Sequence, residues 1–166
     1  MFLRPPSINT TEEGDDYKEG RLRYFIDHYL ARYDVICLQE CFSLFRPWKE
    51  ELIHEAQKQG LLYHVCSPMP GYFGSELCDG GLLILSRYPI DASEFESFQA
   101  PSLLGDCIAL KGLLYARIDL SRLGGTCLHL FNTHTQATEH NLETEALVQT
   151  FVTRYEQIKE VRQLIK

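Results

Sequence analysis

Apolar residues recur along this chain with two different periods, and the switches between them outline its elements. Within YKEGRLRYFIDHYLARY, residues Leu22, Phe25, Ile26, Tyr29, Leu30 and Tyr33 return at three- and four-residue spacing, which predicts an amphipathic helix. DVICLQE follows at once, and its apolar run from Val35 to Leu38 predicts a buried strand that stops on an amide and a carboxylate. RPWKEELIHEAQKQG goes back to helical spacing, with Trp48, Leu52, Ile53 and Ala56 on one face, Pro47 near the first turn and Gly60 at the end. LLYHVC, GGLLILS, FESF, KGLLYARIDL and TCLHLFNTH then read as strands, and the glycine-rich GYFGSELCDGG as a surface loop. From Glu143 onward, Leu147, Phe151, Tyr155, Ile158, Val161 and Ile165 predict a third helix. Helix, strand, helix and then consecutive strands on short connections predict an α+β sandwich, with mixed sheets covered by helices on their outer faces.

Composition narrows this picture. The 166 residues, 45% of them hydrophobic, suit one domain with a real core. No run of about 18 apolar residues occurs, and the first twenty residues lack the apolar centre of a signal peptide, so an intracellular protein is expected, cytoplasmic or peripheral to membranes. The six cysteines are scattered without a CxxC pair, which predicts reduced, packed thiols rather than a metal site. A net charge of −7 argues against a broad basic face for nucleic acid. It leaves a phosphate substrate open, because a divalent cation held by acidic residues turns a positive charge towards the phosphate.

Glu40 closes a wholly apolar strand at its C-terminal end, the edge where α/β sheets open their crevices. Taken alone, it reads equally as a residue turning into solvent or as a metal ligand. Gln39 beside it becomes a buried amide in need of partners. A second apolar strand ends in NTHTQA, where Asn132 and His134 lie two residues apart on one face, a spacing that suits joint contact with one anionic group. His134 alone reads as an ordinary strand-end histidine. A third strand, GGLLILSRYPI, ends in Ser86 and Arg87 before Pro89.

DVICLQE, GGLLILSRYPI and NTHTQA, in this order and at these separations, resemble the endonuclease/exonuclease/phosphatase superfamily with the deoxyribonuclease fold, over roughly residues 17 to 137. The start FLRPPSINTTEEGDDYKEGRL, the loop SELCDGGLLILS and GDCIALKGLLYARI resemble its neutral sphingomyelinase branch more than its nucleases. The resemblance implies a four-layer α/β/β/α sandwich of largely antiparallel sheets. It also implies Glu40 as a Mg²⁺ ligand, His134 beside the attacked phosphate and Asn132 in support. Asp106 and Lys111 match the spacing of an acidic residue and a lysine that form a switch at the active site in some members. The implied substrate is a phospholipid or another phosphodiester, with sphingomyelin, cleaved to ceramide and phosphocholine, first. A lipid substrate implies peripheral membrane contact, for which Tyr72 and Phe73 are the candidates, although ordinary packing is the preferred reading of two loop aromatics.

The chain also departs from that pattern. A first-strand Asn, a GDxN segment and a late SDH segment, whose His would activate the attacking water, are not in the sequence. Residues 1–166 are therefore expected to form a single incomplete domain with little activity alone, and with strand edges and an apolar face left uncovered. Two alternatives stand beside this reading: a nuclease or phosphoinositide phosphatase of the same superfamily, and a non-catalytic module that keeps the fold.

Overall fold

The computed structural model describes residues 17–42, 47–71, 76–103, 107–138 and 143–165. Helix α1 spans Lys18–His28 and is followed by a 3-10 turn, Leu30–Arg32, so the expected single helix tightens at Tyr29 before the chain enters the first strand. Strand β1 is Val35–Leu38, helix α2 Trp48–Lys58, strand β2 Tyr63–Cys66 and strand β3 Leu83–Ser86. Strands β4 (Ile90–Ser97), β5 (Gly112–Asp119) and β6 (Cys127–Thr133) precede helix α3, Thr144–Leu164.

The strands form two three-stranded sheets, ordered β1-β3-β2 and β4-β5-β6. Every ladder among the described strands is antiparallel. Outside those strands, Cys78 and Ala109 meet in an isolated parallel bridge. The alternation of side chains across each strand divides the apolar residues between two cores. Ile36, Leu38, Leu83 and Leu85 face α1 and α2, meeting Leu22, Ile26, Leu30, Leu52 and Ala56. Val35, Cys37 and Ile84 face the opposite way, towards Leu114, Ala116, Phe95 and Leu130 of the second sheet. Strand β3 is central and buried on both faces, which is why its sequence runs apolar without alternation.

Two expectations shift in the structure. The strand read as FESF starts earlier, at Ile90, immediately after Pro89. Its polar alternation, IDASEFES, hides it from an apolar search because one face of β4 is solvated, and a register shift between Ile90 and Ala92 breaks the pattern further. Helix α3 has the expected period but presents the other face to the protein. Thr150, Thr153 and Gln157 are its buried residues, whereas Phe151, Tyr155 and Ile158 are 53–63% exposed. The loop after β4 and the segment after β6 offer main-chain amides there, and polar side chains answer them. Glu160 accepts from the amides of Gln99 and Ala100 at 2.7 and 2.8 Å, and Gln157 accepts from the Gln136 amide at 2.7 Å.

Gly112 owes its place to close packing, since a Cβ there would run into the Glu96 carbonyl oxygen of β4. Arg87, at the end of β3, fastens two helical C-termini: its guanidinium donates to the carbonyls of Gln59 at 2.8 Å and Ala31 at 3.2 Å. Among the described residues, β6 pairs on one side only, and Leu128 and Phe131 on it remain more than a third exposed. Of the six free cysteines, Cys41 and Cys78 are buried, Cys37, Cys66 and Cys127 half-buried, and Cys107 is exposed rather than packed. No helix among the described residues is long and apolar enough to cross a membrane.

Candidate active site

The two sheets converge where β1 and β6 end. Asn132, two per cent exposed on the inner face of β6, reaches across the sandwich and donates to the carbonyls of Leu38 at 2.9 Å and Leu83 at 3.2 Å. Its own amide oxygen accepts from Gln39 Nε2 at 2.5 Å. One side chain thus ties the end of β1, the start of β3 and the end of β6 together, and it supplies the Gln39 amide, half-buried rather than fully so, with a partner. Asn132→Ala removes these three bonds and with them the tie between the two sheets. The expected loss is about 1–3 kcal/mol of folding stability, read as a lowered denaturant midpoint at unchanged slope.

Immediately beyond this tie, the chain leaves β1 through Glu40, whose φ of 58° lies in the left-handed region that side chains rarely adopt. That turn brings the Glu40 carboxylate within 3.7 Å of His134 Nε2, which follows directly on β6. Both side chains keep partial access to solvent, at 13% for Glu40 and 24% for His134. A carboxylate and an imidazole converge from two sheets on one partly open spot.

Lys111 and Gly112 hold the same strand end from behind. Lys111 is buried and donates from Nζ to the Thr135 carbonyl at 2.9 Å, while the Gly112 carbonyl accepts from Thr133 Oγ1 at 2.8 Å. His134 sits between these two anchors, so its backbone position follows from the Lys-Gly pair. Asp106 lies outside the described residues, as do Tyr72 and Phe73. Glu40, Asn132, His134 and Lys111 are therefore brought to one end of the sandwich, and Asn132 and Lys111 stand in positioning places rather than at its mouth.

A pair not foreseen from the sequence completes the surroundings. Lys49, on the first turn of α2, makes a buried ion pair with Asp79, which precedes Gly80 and Gly81 at the entry to β3. Cys41, next to Glu40, feels both charges: burial pushes its thiol up to about 12, Lys49 opposes that, and Asp79 and Glu40 add to it. The available signal was an acid separated by only two glycines from a fully apolar run, in a position a surface loop does not require.

Glu40 offers one hard oxygen donor, and no three His, Cys, Asp or Glu side chains converge as a ligand set among the described residues. That donor set fits Mg²⁺, which takes few carboxylates and fills its octahedron with water and substrate phosphate.

With this geometry in place, comparison with known proteins is direct. A profile of the Endonuclease/Exonuclease/phosphatase family matches residues 7–157, and the chain belongs to that family. Within it, similarity runs to sphingomyelinases. A sphingomyelinase of Dictyostelium discoideum is 42% identical over 115 residues, covering 66% of this chain and 25% of that protein. A putative neutral sphingomyelinase of Drosophila melanogaster is 30% identical over 132 residues, covering 74% of this chain and 27% of that one. Among solved structures, SmcL superposes with a TM-score of 0.72 at 23% identity, over 88% of this chain and 49% of its own. Beta toxin of Staphylococcus aureus, crystallised with bound magnesium ions, gives 0.70 at 23% identity, over 88% and 51%. These likenesses bear out the α+β sandwich, and the chain spans about a quarter of the length of the curated relatives it matches.

Proposed function

We propose that this chain carries one half of the active site of a Mg²⁺-dependent phosphodiesterase of the neutral sphingomyelinase type. Its substrate is the phosphodiester of sphingomyelin, and the products are ceramide and phosphocholine. The observation that carries this reading is the 3.7 Å approach of Glu40 to His134 at the shared end of two sheets, within a sphingomyelinase-like domain. Glu40 is the residue that would hold the metal, which when bound supplies a Lewis acid for a phosphoryl oxygen. The His134 imidazole stands beside that carboxylate, placed to hydrogen-bond a phosphoryl oxygen and to favour the negative charge that develops on it. Asn132 and Lys111 position these two groups through Leu38, Leu83 and Thr135, and Asp106 joins Lys111 in control of the site. The first-strand Asn and the GDxN and SDH segments are not in the sequence, so slow turnover by the chain alone is expected.

The test is to incubate the chain with choline-labelled sphingomyelin in detergent micelles and, separately, with supercoiled DNA, each with Mg²⁺ and with a chelator. Slow phosphocholine release that vanishes on chelation is the expected result. Cleavage of DNA instead makes the chain part of a nuclease, and inertness towards both makes it a non-catalytic module.

A further inference from the structure

On the outer face of the second sheet, away from Glu40 and His134, three side chains form a relay that the phosphodiesterase reading does not use. Cys127 and His129 alternate along β6, so both project to the same face, and Cys127 Sγ lies 3.3 Å from His129 Nε2. The other ring nitrogen, Nδ1, is 2.8 Å from Tyr115 Oη on β5, and the two rings stack at 5.8 Å between centroids. Tyr115 therefore fixes the orientation of the imidazole, and the imidazole faces the thiol.

We propose that Cys127 is a reversible modification site that forms a mixed disulfide with a low-molecular-weight disulfide, with His129 as its base. With Nδ1–H donating to Tyr115 Oη, Nε2 is the acceptor that takes the thiol proton of Cys127. The thiolate then attacks one sulfur of the disulfide. The bond from Cys127 to that sulfur forms, the original S–S bond breaks, and the departing thiolate takes a proton from the imidazolium. Cys127 is oxidised and the leaving half of the disulfide is reduced, so the balance needs no further reagent.

Charges of both signs face the pair. Arg117 of β5 stands opposite His129 in the register and within electrostatic reach of Cys127, and Asp91 holds it at 2.8 Å. Asp119 stands opposite Cys127 and Glu94 of β4 opposite Tyr115, so carboxylates as well as the Arg117 guanidinium face the relay. Beside the relay, Tyr115, His129, Phe131 and Leu164 of α3, together with Glu94 and Glu96, line an open hollow of about 270 Å³. Four other thiols are held protonated by burial: Cys37 and Cys66 are pushed up, Cys78 to about 11 and Cys41 to about 12. Cys107 is exposed and among the described residues no imidazole bonds to it, which makes it an internal reference.

Treating the protein with substoichiometric oxidised glutathione at about pH 6.5, where an unassisted thiol is almost wholly protonated, and mapping the adducts by peptide mass spectrometry tests this. Cys127 is expected to react at least about tenfold faster than Cys107, and His129→Gln to bring it down to the Cys107 rate. Tyr115→Phe keeps the ring packing and lowers the rate by about threefold, which provides a second readout should the first variant fold poorly. Circular dichroism checks each variant. Equal labelling of Cys127 and Cys107, or unchanged Cys127 kinetics in folded His129→Gln, overturns the proposal.

Discussion

Replacing Glu40 with Gln is expected to lower Mg²⁺-dependent phosphodiester cleavage by at least about 1,000-fold. Gln keeps the length of the side chain and its place in the left-handed turn, so the loss isolates the charge. The magnitude follows from the role. A metal at a phosphoryl oxygen contributes several kcal/mol to the transition state, and each 1.36 kcal/mol is a factor of about ten in rate. The backbone at Glu40, with φ 58°, gives the residue type additional meaning, since a left-handed non-glycine residue stores strain that the surroundings must hold. The Asn132 bonds to Leu38 and Gln39 are the holding contacts on this side. A titration of Mg²⁺ by calorimetry, beside the phosphocholine assay, separates the two halves of the claim: the variant should lose both metal affinity and rate. A variant that retains more than about a tenth of the wild-type rate ends the assignment of Glu40 as the metal ligand.

The sequence was most readable where a single physical requirement acts alone. The apolar runs of β1 and β3 announce strands buried on two faces, and Gln39, Glu40, Asn132 and His134 stood out as polar residues ending β1 and β6, although Glu40 and His134 each also read as ordinary strand-end residues until the motifs were taken together. Lys111 was visible within the segment GDCIALKGLLYARI, but the reason for the glycine that follows it emerges only with β4 in place, since a Cβ at Gly112 would meet the Glu96 carbonyl. Helix α3 shows the limit of periodicity. Its apolar stripe gave the helix correctly, yet the buried side was set by the main-chain groups of Gln99, Ala100 and Gln136, which lie far away in sequence. Lys49 and Asp79 escaped for the same reason, because 30 residues separate them and each alone reads as an ordinary charge. Local pattern specifies elements, whereas long-range polar pairing decides which faces meet.

That buried pair leads to the second large effect. Asp79→Ala is expected to cost about 3–5 kcal/mol of folding stability, because it leaves the Lys49 ammonium, only 6% exposed, without its carboxylate. The alternative open to the protein is to open the start of α2 to water, which draws on folding energy. Urea denaturation followed by the single tryptophan, Trp48, reads the change beside the pair itself. A double replacement, Lys49→Met with Asp79→Leu, separates charge from packing: two apolar residues of similar volume should recover most of the loss, since the pair owes its stability to mutual compensation rather than to a net gain. If Asp79→Ala costs less than about 1 kcal/mol, the pair is not desolvated as the burial implies. If the double variant is no better than the single one, the Asp79 carboxylate is needed for something other than Lys49, and the neighbouring turn through Gly80 and Gly81 into β3 is then where that need arises.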